Sequence, residues 1–340
     1  MKKHANLSIF VPHNGCPRQC VFCNQNRISG ESHTPSPSEV AELCERFLPE
    51  QDISGHTEIA FFGGSFTAID RCIQEPLLNT AYSFVKKGRA SGIRLSTRPD
   101  AIDSEILRML DCYCAHSIEL GAQSMDDSVL ELNRRGHTSQ AVIDASALIK
   151  SSEAKFSLGL QMMIGMYGET DPLASALYTA KKFIELKPET VRIYPTVVVE
   201  NTPLCDIYRA GGYTPLTVEK AAEITARLLI MFERENINVI RIGLHSDDAL
   251  RESAVAGPFH PAFGEICHTL VMREKILSRI ADKPPSNKLI AKVHGGCISR
   301  TLGYKRANID YFAKKGIGLC VAEDDSVPYG EVALEYQISK

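Results

Sequence analysis

With 340 residues, 44% of them hydrophobic and 23% charged, the chain can bury a barrel-sized core. A formal net charge of -3 excludes a globally basic nucleic-acid binder, while leaving room for a local basic patch. Pro12 and His13 break the apolar start and no stretch is long and apolar enough to span a bilayer; with eleven cysteines, an odd number, the expectation is a cytoplasmic chain with reduced thiols and no membrane partner.

Short β-rich apolar runs fall at 7–12, 58–62, 93–97, 117–121, 157–164 and 191–198. Between them helical periodicity covers 38–48, 73–87, 104–110, 138–150 and 172–186, with Pro37-Ser38, Asp103 and Asp171-Pro172 as N-terminal signals. Strands that alternate with helices imply a parallel sheet, because parallel neighbours cannot be joined by tight hairpins. The fold class predicted is α/β: a partial (β/α)6 TIM-type barrel, open where the eight-unit barrel closes, with its chemistry at the C-terminal ends of the strands. After about residue 200 the pattern changes to a helix at 217–235, a strand at 238–242, the segment GPFHPAFGE (257–265) and a helix ending near 280. A polar stretch, 281–288, reads as a linker. The domains expected are therefore a barrel with its extension over 1–280 and a small basic α/β appendage over 281–340.

The loop after the first run, PHNGCPRQCVFCNQ, carries Cys16, Cys20 and Cys23 in C-x3-C-x2-C spacing. Three thiolates on one short loop suit an iron–sulfur cluster that keeps one iron open, since structural tetrahedral sites take four protein ligands and ferredoxin-type clusters four cysteines. Chance proximity, or an incomplete zinc knuckle completed by His13, are the competing readings. FFGGSFT (61–67) ends the second run, and its paired Gly63 and Gly64 let a ligand approach the backbone. LSTRPD (95–100), IELGAQSMDDSVLELNRRGHT (118–138), MMIG (162–165) and RIYPTVVVENTPL (192–204) follow in order.

Taken together, these motifs resemble the radical S-adenosylmethionine (SAM) domain of the Elongator catalytic subunit, over most of residues 5–270, with oxygen-independent coproporphyrinogen oxidases as further relatives. The resemblance implies a radical SAM type of barrel and two cofactors, a 4Fe–4S cluster and SAM. Cys16, Cys20 and Cys23 would hold the cluster, whose fourth iron chelates the amino and carboxylate groups of SAM. By the same resemblance Phe22 packs over the adenine, Gly63 and Gly64 receive the amino group, Arg135 pairs with the carboxylate, Gln123 lies near the ribose and sulfonium, and Gln161 near the ribose or adenine. Ser96 stands where many relatives have a carboxylate for the ribose hydroxyls, a weaker partner. The implied reaction takes one electron from a reducing donor and gives methionine and a 5'-deoxyadenosyl radical.

Arg98 and Tyr194 are candidate substrate contacts. The plainer readings make Gln123 and Gln161 partners of the backbone, Arg98 and Arg135 exposed caps, and Tyr194 a core residue. The remaining cysteines (Cys44, Cys72, Cys112, Cys114, Cys205, Cys267, Cys297, Cys320) read as buried small hydrophobes.

Elongator-type proteins pair this domain with an acetyltransferase and act on the wobble uridine of transfer RNA; at 340 residues the chain is expected to lack that second domain. Lys288, Lys292, Arg300, Lys305, Arg306, Lys314 and Lys315 face a single acid, Asp310, in a strand–helix–loop–helix–strand order (289–293, 297–302, 307–314, 318–322). That order resembles RNA-binding KH modules, whose GXXG loop clamps the backbone; here Arg306 replaces the second glycine. Lys305 and Arg306 are the RNA candidates. The reading is a radical SAM enzyme that modifies RNA, transfer RNA first, against a small-molecule or protein substrate, or a non-catalytic RNA-binding scaffold with a structural metal.

Overall fold

Seven strands form one parallel sheet in a computed structural model that describes residues 5–12, 16, 20–24, 33–52, 57–244, 248–280 and 288–336. They are β1 (Ala5–Val11), β2 (Thr57–Gly63), β3 (Gly92–Thr97), β4 (Ala115–Gln123), β5 (Ser157–Ile164), β6 (Thr190–Pro195) and β8 (Asn238–Ile242), side by side in that order. Helices α1 (Pro37–Phe47), α2 (Arg71–Lys86), α3 (Ser104–Cys112), α5 (Ser139–Ser151) and α6 (Pro172–Leu186) make the crossovers, and Ser36, Asp70, Asp103, Thr138 and Asp171 cap them by accepting from first-turn amides. Shorter helices α4 (Asp127–Leu132), α7 (Pro203–Arg209) and α9 (Asp248–Ser253) sit in the connections between strands. The partial barrel expected from the sequence is present, with 238–242 as a seventh strand beside β6. His13 and residues 281–287, assigned above to a zinc knuckle and a linker, lie outside the described residues.

The single run expected at 191–198 is broken. Pro195 has no amide to continue the ladder, so β6 ends there, and β7 (Val198–Val199) pairs antiparallel with β9 (Ala254–Ala256).

The chain packs as two units, one of residues 1–216 with 235–259 and one of 217–234 with 260–340. The division thus differs from the expected 280/281 boundary. Helices α8 (Val218–Arg234) and α10 (Phe263–Ile280) belong with the C-terminal residues. The reason is apolar: Met272 and Ile276 of α10 share a buried core with Leu289, Ala291, Val293 and Phe312. In this second unit β10 (Lys288–Val293) pairs parallel with β11 (Gly318–Glu323) and antiparallel with β12 (Ala333–Tyr336). Helices α11 (Ile298–Leu302) and α12 (Ala307–Lys314) lie between β10 and β11 in sequence.

In the barrel unit, one set of alternate strand residues, including Ile59, Phe61, Ile93, Leu95, Ile118 and Leu120, is fully buried. The other set carries charge. Glu58, Arg94, Glu119 and Arg192 are only 2%, 5%, 1% and 8% exposed. Arg94 Nε meets Glu58 at 2.7 Å and its Nη1 meets Glu119 at 3.0 Å; Arg192 grips Glu119 with Nε at 2.6 Å and Nη2 at 2.8 Å. Gly159 makes the last pair possible, since a Cβ there would sit 2.7 Å from Glu119 Cγ. Ser117 and His116 complete the coordination of Glu58, at 3.0 and 2.6 Å.

Buried ion pairs are weak net stabilisers, but removing one partner strands the other. Arg94→Ala removes a guanidinium from Glu58 and leaves Glu119 with only that of Arg192 among the described residues. It is expected to lower unfolding free energy by about 3–5 kcal/mol in urea denaturation; a loss under about 1 kcal/mol would show that the row is not coupled.

Candidate cofactor and substrate cavity

Beyond β1 the chain enters the cysteine loop, which is fixed at Val21: its amide donates to Asn133 O at 3.3 Å and its carbonyl accepts from Leu204 N at 2.8 Å. The next residue, Phe22, packs against the buried cluster of Val198, Leu204 and Cys205. Arg135 is buried rather than an exposed cap; it donates from Nη1 to Cys20 Sγ at 3.0 Å and from Nη2 to Gly121 O at 2.5 Å. The Ser65 amide donates to the Cys16 sulfur, which lies open to solvent on its outer side. Surrounding protein and the neighbouring Cys20 push the Cys16 thiol up, against the pull of Arg98 and Arg135. Among the described residues no three His, Cys, Asp or Glu side chains stand in a ready metal-ligating group. The loop therefore brings Cys16 and Cys20 each under an N–H donor, without gathering the three sulfurs into a finished ligand set.

Gly63 ends β2 at φ +111°, where a Cβ would lie 2.9 Å from Val11 O. The Gly64 amide is already used by Val11 O at 2.8 Å. A bound ammonium needs acceptors, so the carbonyls of this turn, not its amides, are the groups such a ligand would use. Just after the turn, Ser65 Oγ bonds Thr97 Oγ1 at 2.9 Å and accepts the Arg98 amide at 3.1 Å, joining the ends of β2 and β3. Arg98, singled out as a substrate contact, is instead buried and paired with Asp100 at 2.9 and 2.5 Å.

Gln123 closes β4 at φ +66°, a conformation that costs a non-glycine residue energy and persists only where surroundings impose it. Its Oε1 is buried without a hydrogen-bond partner among the described residues. It lines a cavity together with Phe22, Cys23, Gly63, Ser96, Gln161, Arg192 and Tyr194, while Phe10, Phe62 and Met163 supply apolar wall. Seven residues singled out from the sequence thus meet at one cavity at the C-terminal ends of the strands. Lys305 and Arg306 are in the second unit.

The charge row reaches the same cavity. Gln161 Nε2 donates to Glu119 Oε2 at 2.9 Å. A carboxylate at neutral pH only accepts, so the amide nitrogen must face Glu119, leaving Gln161 Oε1 as an acceptor for the cavity. Tyr194 accepts from Arg192, a donor only, which leaves its own hydroxyl hydrogen to give. Burial pushes Tyr194 up, so the phenol stays protonated at neutral pH. Glu119 and Arg192 sat unassigned within the quoted motifs. Their signal was a charge at alternate positions inside apolar strands, where an unpaired charge would not be tolerated.

Residues 10–175 match the radical SAM superfamily and residues 188–273 match the Radical_SAM C-terminal domain. The chain belongs to the radical SAM superfamily. Membership makes it an enzyme and brings a 4Fe–4S cluster and SAM as its cofactors. It is 34% identical over 260 residues to a tRNA uridine(34) acetyltransferase of Methanocaldococcus jannaschii, covering 65% of this chain and 47% of that protein. With human Elongator complex protein 3 it shares 28% identity over 62% of this chain and 45% of that one. The chain spans about half the length of these relatives. An archaeal Elp3 structure from Methanocaldococcus infernus superposes with a TM-score of 0.62 at 20% identity, covering 81% of this chain and 64% of that one, a likeness of fold.

The residues of this radical SAM chain suit the two cofactors. Thiols that receive N–H donors and sit beside Arg98 and Arg135 match an anionic cluster, and the unpartnered Gln123 oxygen matches a polar ligand in the cavity. Of the other cysteines, Cys44, Cys205, Cys267 and Cys297 are buried as expected, but Cys72, Cys112, Cys114 and Cys320 are exposed. Each of these four sits at a helix end or on an outward strand position, which the small size of cysteine permits.

Gly63→Ala is expected to cost about 1–3 kcal/mol, read as a lowered thermal midpoint, because alanine must either hold the positive φ or press on Val11. A midpoint equal to the parent's would refute the tight approach. A pH effect arises at Glu169, whose carboxylate accepts from Gly165 N at 3.0 Å and Ser175 Oγ at 3.2 Å. Burial pushes it up to about 8 from an ordinary value of 4.5. The native state therefore favours its neutral form: this stabilisation is complete below pH 4.5 and is lost as pH rises toward 8. In chemical denaturation at several pH values, Glu169→Gln should flatten the decline over that window; an unchanged slope would exclude Glu169 as its source.

Proposed function

We propose that this enzyme cleaves SAM reductively and directs the resulting radical chemistry at an RNA, with transfer RNA as the substrate class. The observation that carries the reading is that Cys23 and Phe22 of the cysteine loop share one cavity with Gln123, Gln161 and Tyr194. Cys16, Cys20 and Cys23 would hold the 4Fe–4S cluster. Phe22, Gly63, Gly64, Ser96, Gln123, Arg135 and Gln161 would hold SAM, as the family resemblance implies. When bound, these cofactors supply one-electron cleavage of the sulfonium and hence abstraction of hydrogen from an unactivated C–H.

The chain's own residues do the rest. Arg135 offers a cation beside Cys20, and its buried Nε has no partner among the described residues. Gln123 and Gln161 offer acceptors of fixed orientation, and Tyr194 a donor on the far wall. Phe10, Phe62 and Met163 keep water from the space between. The names of the relatives, which specify uridine 34 of transfer RNA, support the substrate class.

The test is anaerobic. Protein reconstituted with iron and sulfide, then given dithionite and SAM, should release 5'-deoxyadenosine, and bulk transfer RNA should raise the yield. Cys→Ala at position 16, 20 or 23 should abolish both iron loading and SAM cleavage. Full iron loading in any of these variants would sink the assignment, and cleavage indifferent to transfer RNA would remove RNA as substrate.

A further inference from the structure

The two family matches end at residue 273, and the C-terminal residues beyond it carry a charge pattern of their own. In the second unit a subset of the cations is neutralised by acids. Lys275 meets Glu233 at 2.6 Å and Glu331 at 3.2 Å, Arg279 meets Glu331 at 2.6 Å, and Lys292 meets Glu335 at 2.6 Å. Around α12 this stops. Lys305, Arg306, Lys314 and Lys315 are exposed, and none has an acidic partner among the described residues. The eight residues of α12 span about 12 Å, so the two cation pairs stand at either end of a short rod.

The turn between α11 and α12 is also held in an unfavourable shape. Gly303 lies at φ +86°, and Lys305 and Arg306 follow at +51° and +63°. Two successive side-chain-bearing residues in the left-handed region cost about 1–2 kcal/mol each. Buried groups beneath impose it: Thr269 Oγ1 accepts the Tyr304 amide at 2.8 Å, and Asn308, fully buried, donates to Thr269 O and Thr301 O at 3.0 and 3.1 Å. A Cβ on Gly303 would approach Asn308 N to 2.9 Å. The backbone that carries Lys305 and Arg306 is thus held in place from below. Aromatic rings sit among them, with Lys305 5.3 Å from the Tyr304 ring and Lys315 5.2 Å from Tyr311.

We propose that the α11–α12 turn and the outer face of α12 form a docking surface for the sugar–phosphate backbone of single-stranded or looped RNA. Lys305 and Arg306 make its central phosphate contacts, and Lys314 and Lys315 extend it. A turn whose backbone is already held needs little reordering of the chain to meet phosphates. A membrane surface would require apolar side chains to insert, which this face does not present. The proposal shares with the enzyme reading the premise that RNA is the partner, but none of its cofactor chemistry.

The experiment measures the affinity of the full chain for bulk transfer RNA over a salt series, for the parent and for K305A/R306G. Glycine adopts the turn's positive φ without strain, so R306G removes the charge and keeps the shape. The slope of log K against log salt should become shallower by about 0.7 for each cation removed, hence about 1.4 for the pair. A matched pair in the barrel unit, K181A/K182A, should leave the slope unchanged. An unaltered slope in K305A/R306G, an equal change in the control, or no binding by the parent even at low salt would each overturn the proposal. Capture by anionic lipid vesicles in place of transfer RNA would do so too. SAM cleavage without RNA should be the same in K305A/R306G as in the parent, so loss of the docking surface is distinguishable from failure of the enzyme reading.

Discussion

Glu119 must satisfy two guanidiniums and one amide at once, and the interior of the barrel is arranged around that demand. A carboxylate 1% exposed is untenable alone. Arg94 and Arg192 reach it from strands on either side, and each arginine is anchored elsewhere, Arg94 by Glu58 and Arg192 by Tyr194 and the face of Phe62 at 4.9 Å. The glycine at 159 is a condition of this arrangement, because any side chain there would fill the space the Glu119 stem occupies. The result is a floor whose donors and acceptors cannot rotate to suit a visitor. Such preorganisation places the energetic cost in folding rather than in binding.

Above that floor the cysteine loop is held by neighbours remote in sequence. Arg135 and Ser65 direct N–H groups at two of the sulfurs, and Asn133 and Leu204 grip Val21 from both sides. Strained backbone concentrates here as well: Gly63 and Gln123, both at positive φ, terminate adjacent layers of the cavity wall. Regular strands end in these conformations only where surrounding contacts over-determine them.

The sequence made the barrel legible because parallel strands buried on both faces are rich in apolar residues, and such runs are easy to see. It was less informative where one residue decides a boundary. Pro195 cut a run that hydrophobicity alone would have extended, and β12, four residues long, offers too little periodicity to detect. The division into units was hidden because α8 and α10 carry apolar stripes that do not say which core they serve. At the cavity, cysteines, glycines and Gln123 were readable from motif spacing. Glu119 and Arg192 were not, since a buried charge reveals its purpose only when its partner on another strand is known. The pairing of Arg98 with Asp100, two residues away, was likewise not legible from the motif alone.

The bracing of Val21 by Asn133 and Leu204 bears on how the protein is made. The cysteines leave the ribosome ahead of their supports, the last of which, Leu204, emerges more than a hundred residues later. At ordinary elongation rates the interval is on the order of ten to forty seconds. During that time three thiols stand on an unsupported segment, open to oxidation and to stray metal. The bracing of the ligand loop is therefore complete only after Leu204 has been made and packed, and until then the thiols rely on reducing surroundings.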